Sequence, residues 1–228
     1  MAKKTNRAEC ATCAVSKKDR ACTQPGGKGS GGCPTLGRAT LRKRAHQGYL
    51  RKDVADFARQ ASIQEGEGYA GKEENPPARR PVKPRMKEIC EFARKMGYSR
   101  LGLAFCAGLA SEAAVVDRIL KNHGFETVSV VCKAGGVPKE HIGVRDEEKV
   151  RPGKHESMCN PILQAMLLNE ARVDFNILLG LCVGHDSLFF KYAQAPTSVL
   201  AVKDRVTGHN PLACIYTAGS YYAGILTP

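Results

Sequence analysis

Leu101-Gly102-Leu103-Ala104-Phe105, closing on Cys106, is a short apolar run without a charge in it. A run of that length and composition reads as a buried strand. The pattern after it sets the fold. Ser111 is placed to cap a helix in which Val116, Ile119, Leu120 and His123 share a face, and Gly124 stops it. Thr127–Val131 then reads as a second strand. A helix from Pro161 to Asn169, with proline in its first turn, leads to a third strand over Asn176–Leu181. Ser187–Gln194 reads as a further helix and Ser198–Val202 as a fourth strand. Upstream, Met86, Ile89, Ala93 and Met96 recur at helical spacing up to Gly97. Strands that alternate with helices imply an α/β fold, a doubly wound and mostly parallel sheet with helices on both faces. This domain is expected to span residues 85–228.

Ahead of it, residues 39–84 read as a helix over 40–66 and a spacer. Leu50, Val54, Phe57, Ala58 and Ala61 mark the apolar stripe, and Asn75-Pro76-Pro77 through Pro84 should be extended. Residues 1–38 are polar and rich in glycine, notably over 24–34, and cannot bury enough apolar surface to order themselves. They need a staple. No internal repeat is evident.

Of the 228 residues, 43% are hydrophobic, so a core is available, but with aromatics at 6% and no Trp it must be aliphatic. No apolar run reaches the roughly 18 residues that a membrane span requires. The start, MAKKTNRAEC, lacks the apolar stretch of a secretory signal, so the expected compartment is the cytoplasm. Ten cysteines in such a compartment point to metal ligation or thiol chemistry, because disulfides are disfavoured there. Residues 1–52 hold 13 Lys and Arg against Glu9 and Asp19, which is +11 of the chain's +13. That imbalance suggests a polyanionic partner or a local counter-charge.

Cysteines end successive strands. Cys106, Cys132 and Cys182 each follow a strand directly, and Cys159 stands at the start of a helix, where a thiolate is favoured. In a parallel sheet all strand ends lie on one edge, where such folds place their ligands. The four are therefore expected to converge on one crevice. Thiolates drawn from separated loops suit an iron–sulfur cluster, here of the 4Fe-4S type, better than a structural zinc. Simple packing of the cysteines is the competing reading. Cys90 falls on a helix stripe and reads as core, while Cys214 could replace one of the four. At the same edge Lys133, followed by Ala-Gly-Gly, offers an anion-binding nest. His185 and Asp186 are candidates for proton transfer, or else simply cap the next helix. Asp204 and Arg205 read as an internal ion pair. The polar loop between Cys132 and Cys159 would be anchored by a cluster bound at its two ends.

The N-terminal set is Cys10-x-x-Cys13, Cys22 and Cys33-Pro34, a four-ligand shell with one CxxC turn. It is read as a zinc site or a second iron–sulfur cluster, with Lys17, Lys18, Arg20, Lys28 and Arg38 offsetting the thiolate charge. Nucleic-acid binding is disfavoured at this point, since Tyr49 is the only aromatic nearby for base stacking.

The stretches Phe105-Cys-Ala-Gly-Leu-Ala-Ser-Glu, Val131-Cys-Lys-Ala-Gly-Gly, Met158-Cys-Asn-Pro and Leu181-Cys-Val-Gly-His-Asp-Ser resemble the family known as domain of unknown function 1847. The cysteine-rich leader is similar too, apart from its glycine-rich insertion before Cys33. The resemblance implies metal binding, in proteins mostly of anaerobic prokaryotes, and carries no reaction with it. The expected function is then a metal-binding protein with a cluster at the strand ends, used for electron transfer with a redox partner or for small-molecule chemistry such as sulfur removal or dehydration. The alternative is a non-enzymatic zinc protein whose basic segment binds nucleic acid or a protein.

Overall fold

In a computed structural model of the protein, residues 7–74 and 78–227 are described. The first six residues of the basic start, and Asn75, Pro76 and Pro77 of the expected spacer, lie outside them. The chain divides into two compact units, one ending at Ile63 and the other beginning at Gln64.

In unit 1, single-turn 3-10 helices form over Cys10–Thr12 and Lys17–Asp19. Ala21 N–H donates to Lys28 O and Lys28 N–H to Asp19 O, which closes a tight loop carrying Cys22. Helices α1 (Pro34–Gly37) and α2 (Ala39–Tyr49) come next, and α3 (Lys52–Glu67) crosses the division. The single helix expected over 40–66 is thus two. The break falls after Gly48, a poor helix former, and α3 restarts with Asp53 in its first turn, where an acid complements the helix dipole.

Unit 2 holds a small antiparallel ribbon, β1 (Tyr69–Ala70) with β2 (Arg80–Pro81), so that part of the expected spacer is strand. Helix α4 (Arg85–Lys95) leads to β3 (Arg100–Phe105), α5 (Ala110–Asn122), β4 (Glu126–Val131), α6 (Pro161–Glu170), β5 (Phe175–Leu181), α7 (His185–Tyr192), β6 (Thr197–Val202) and α8 (Leu212–Tyr216). β3 to β6 form one all-parallel sheet in the order β4-β3-β5-β6. Every residue of β5 is buried, as a strand covered on both faces requires. On one face Ala104, Val130 and Leu178 pack with Ala165 and Leu168 of α6 and Phe189 of α7. On the other, α5 lies over β3 and β4, and the Phe175 ring meets Phe92 of α4 at 5.7 Å. The chain reverses direction across the sheet between β3 and β5, the position at which open α/β sheets form a crevice.

Two helix starts differ from the sequence expectation. α5 begins at Ala110 after a 3-10 turn, and Ser111 is not its cap. α7 begins at His185, two residues early, because Cys182 O accepts from the N–H groups of both His185 and Asp186. It ends at Tyr192, where the Asn169 side chain takes up Tyr192 O and Gln194 N–H.

Candidate metal centre

The register of β3 and β4 builds the site. Phe105 pairs with Val131, so Cys106 and Cys132 leave the sheet side by side. Cys132 N–H donates to Phe105 O at 2.8 Å and Cys106 N–H to Leu179 O at 3.0 Å, which extends the ladder one step past the strands. The third thiol arrives through the backbone: Asn160 N–H bonds Cys132 O at 2.7 Å, while the Asn160 side chain caps α6 through Leu163 N–H. Cys159 is thereby set against Cys132, with the two Sγ atoms 3.8 Å apart. Ala107 N–H points at Cys132 Sγ from 3.3 Å.

Charge is distributed unevenly over the three. Cys106 is lowered to about 5, first by its contact with Cys132 and then by Gly108 N–H and the Lys203 ammonium, against the opposing effect of burial. Cys159 is lowered to about 6 by Cys132 in the first place, with the Lys133 and His185 charges assisting. Cys132, buried between them, is pushed up. The contacts among the three thiols set this pattern first; burial of the inner one and the cations beside the outer two add to it.

Cys182 Sγ accepts from Arg205 Nη2 at 3.1 Å, so Arg205 serves this sulfur, and among the described residues it does not form the ion pair with Asp204 expected from the sequence. Asp204 caps a turn through Val206 and Thr207 N–H. β5 ends irregularly: its register against β6 shifts on both sides of Leu179, and Gly180 turns left-handed, φ 68°. A bulge of this kind re-aims the residues beyond it. Cys214 Sγ donates to Pro211 O within the α8 segment, and Cys90 is fully buried on α4 with its thiol pushed up by burial.

Asp186 accepts from Gly184 and Ser187 N–H, the helix-start role. His185 is close enough for its charge to act on Cys159, and its Nδ1 is buried without a hydrogen-bond partner. Lys133 Nζ donates to Ser157 O and so ties together the two ends of the 132–159 loop. That loop carries its own anchors besides: Met158 N–H to Val137 O, and a Lys149 ammonium buried between Glu140 and Asp146.

The donor set fits a thiophilic metal. The sulfurs are soft, two are held toward the thiolate, lysines offset their charge, and an orphaned imidazole nitrogen stands next to them. A tetrahedral ion with Zn–S bonds of about 2.3 Å separates its sulfurs by about 3.8 Å, the spacing of Cys132 and Cys159. Among the described residues no three His, Cys, Asp or Glu side chains already stand around one point as a finished shell.

In unit 1, Cys10, Cys13, Cys22 and Cys33 all line one cavity of about 50 Å³, together with Arg20 and Lys28. Arg20 fixes one wall by donating to Val15 O at 2.8 Å and Cys13 O at 3.1 Å. Gly29 forms another: a Cβ there would lie 2.7 Å from Cys33 Sγ. Cys13 is lowered, chiefly by the Ser30 side chain.

Three contributors were not assigned to the site from sequence. Gln164, fully buried in α6, donates through Nε2 to Phe105 O and Val130 O, at the ends of β3 and β4. Lys203 and Arg205, just beyond β6, reach Cys106 and Cys182. The signal available for the last two was their place after the fourth strand, on the same edge as the cysteines.

The sequence model of the family described as protein of unknown function (DUF1847) matches residues 33–200. The uncharacterized protein MJ0455 of Methanocaldococcus jannaschii is 49% identical over 140 residues, which cover 61% of this chain and 69% of that protein. No solved structure matches the chain.

Proposed function

We propose that this chain, which belongs to the DUF1847 family, is a metal-binding protein whose working metal sits at the C-terminal edge of the sheet. Cys106, Cys132 and Cys159 hold it, and His185 Nδ1 stands by for the fourth position. The observation that carries this is the pair of sulfurs 3.8 Å apart, with Cys106 alongside, at the place where the strands end. That spacing favours a single ion with three thiolates and one exchangeable place, the composition of a site that acts on a small molecule. The protein's own residues supply the rest: Lys203 and Lys133 offset negative charge, and His185 holds or moves a proton when it does not ligate.

An iron–sulfur cluster used for electron transfer to a redox partner is the second reading. It is favoured by the amide hydrogen aimed at Cys132 Sγ, since such bonds tune cluster potentials, and it needs the sulfurs to spread apart. In unit 1 we assign the four-cysteine cavity to zinc or a second cluster. Anaerobic purification with metal and acid-labile sulfide analysis separates the readings. Colourless protein with two thiophilic ions and no sulfide supports ions at both sites. Brown protein with sulfide supports clusters. Protein with neither metal nor sulfide contradicts both.

A further inference from the structure

Unit 1 carries a feature that metal binding leaves unused. Between residues 38 and 52 stand Arg38, Arg42, Lys43, Arg44, Arg51 and Lys52, with no acid among them. Most of this stretch is α2, and all of that helix except Gly48 is exposed. A helix buried on no side gains nothing from a core. Arg38 and Arg42, four residues apart, repel each other besides. Among the described residues the ion pairs of unit 1 are Arg51 with Asp53 and Arg59 with Asp56, which leaves Arg38, Arg42, Lys43 and Arg44 without a carboxylate. At the start of α2, Arg38, Thr40 and Arg44 line an open depression of about 320 Å³.

We infer that α2 and its flanks bind the phosphate backbone of duplex DNA. Unpaired cations spread around an exposed helix match a polyanion, and the release of its counterions drives binding. An α-helix enters the major groove of B-form DNA, whereas the deep, narrow groove of A-form RNA shuts it out. A single strand needs aromatic platforms, and α2 offers Tyr49 alone. A membrane surface needs a broad apolar face, and only Leu41 and Tyr49 are large and apolar on this helix. Binding through the phosphates alone is indifferent to sequence.

The test is fluorescence anisotropy of a labelled 20-base-pair DNA duplex with the full-length chain across a potassium chloride series. The affinity should fall with salt at a log–log slope of about −4, as expected for four or five neutralised phosphates. Replacing Arg42, Lys43 and Arg44 together by Ser should flatten that slope by about 3 and weaken binding at least about 10-fold near 100 mM salt. Metal content and circular dichroism should stay unchanged in that variant. The inference is overturned by absence of binding at low salt, by a triple variant that binds as the parent does, or by preference for duplex RNA, anionic vesicles or a poly-glutamate peptide. Cys132→Ala should bind DNA normally, so failure here and failure of the metal reading are separable.

Discussion

Gln164 does the least conspicuous work at the strand ends. Its amide joins two backbone carbonyls that flank the cysteines, from a position with no solvent exposure. Replacing it by Ala opens a cavity and removes one hydrogen bond from each of these two carbonyls, at a cost of about 2–4 kcal/mol. Chemical denaturation measures that loss, and metal affinity should fall with it because Cys106 and Cys132 lose their common brace. Gly180 is the second decisive residue. A Cβ there would meet Leu109 Cδ1 at 2.1 Å, in a left-handed backbone. Gly180→Ala should lower the unfolding free energy by about 1–3 kcal/mol, read from the denaturant midpoint. At this scale the sequence was legible where strand register decides the outcome. Cys106 and Cys132 emerge together because β3 and β4 pair without a slip. Cys182 follows a strand whose register slips beside a left-handed glycine, and such a bulge is invisible to an apolar pattern.

Among the elements, the strands are held at their starts as well as their ends. Asp174 accepts from Ser99 and Arg100 N–H at 2.8 Å and so fastens the beginning of β5 to that of β3. Burial pushes its carboxyl up, but these amide bonds outweigh that and leave it below the usual aspartate value of 3.8. A carboxyl depressed in the folded state stabilises fully above its unfolded value and loses that contribution as pH falls through its folded value. Asp174→Ala should therefore cost about 2 kcal/mol at pH 7. The difference from the parent should shrink below about pH 4; one that is independent of pH down to 2 would contradict this role. Helix and strand order was legible because each run kept its period. The boundaries that moved did so for local reasons that the period does not carry. Asn169 ends α7, and Gly48 divides a helix whose apolar stripe runs on past the break.

For the molecule as a whole, the two units rest on different forces. The central strands β3 and β5 are buried along almost their whole length. Residues 7–38 contain no buried residue, so under the proposed reading their order rests on a metal held by the four cysteines. Removing metal by chelation at neutral pH should abolish amide protection across 7–38 and leave β3 and β5 protected, as hydrogen exchange with mass spectrometry would register. Retained protection in the N-terminal unit would mean that it folds without a ligand. That these residues bury too little to order themselves was legible from composition alone. The single cavity that gathers all four sulfurs was not, because it is closed by Arg20 reaching back to Cys13 O and by the room that Gly29 leaves beside Cys33.

The central claim, that Cys106, Cys132 and Cys159 share a metal while Cys182 does not, is tested most directly by metal stoichiometry in anaerobically purified variants. Cys132→Ala should lose one site's worth of metal with the N-terminal site still filled, and Cys182→Ala should retain the full complement. Full metal content in Cys132→Ala, or its loss in Cys182→Ala alone, would contradict the account.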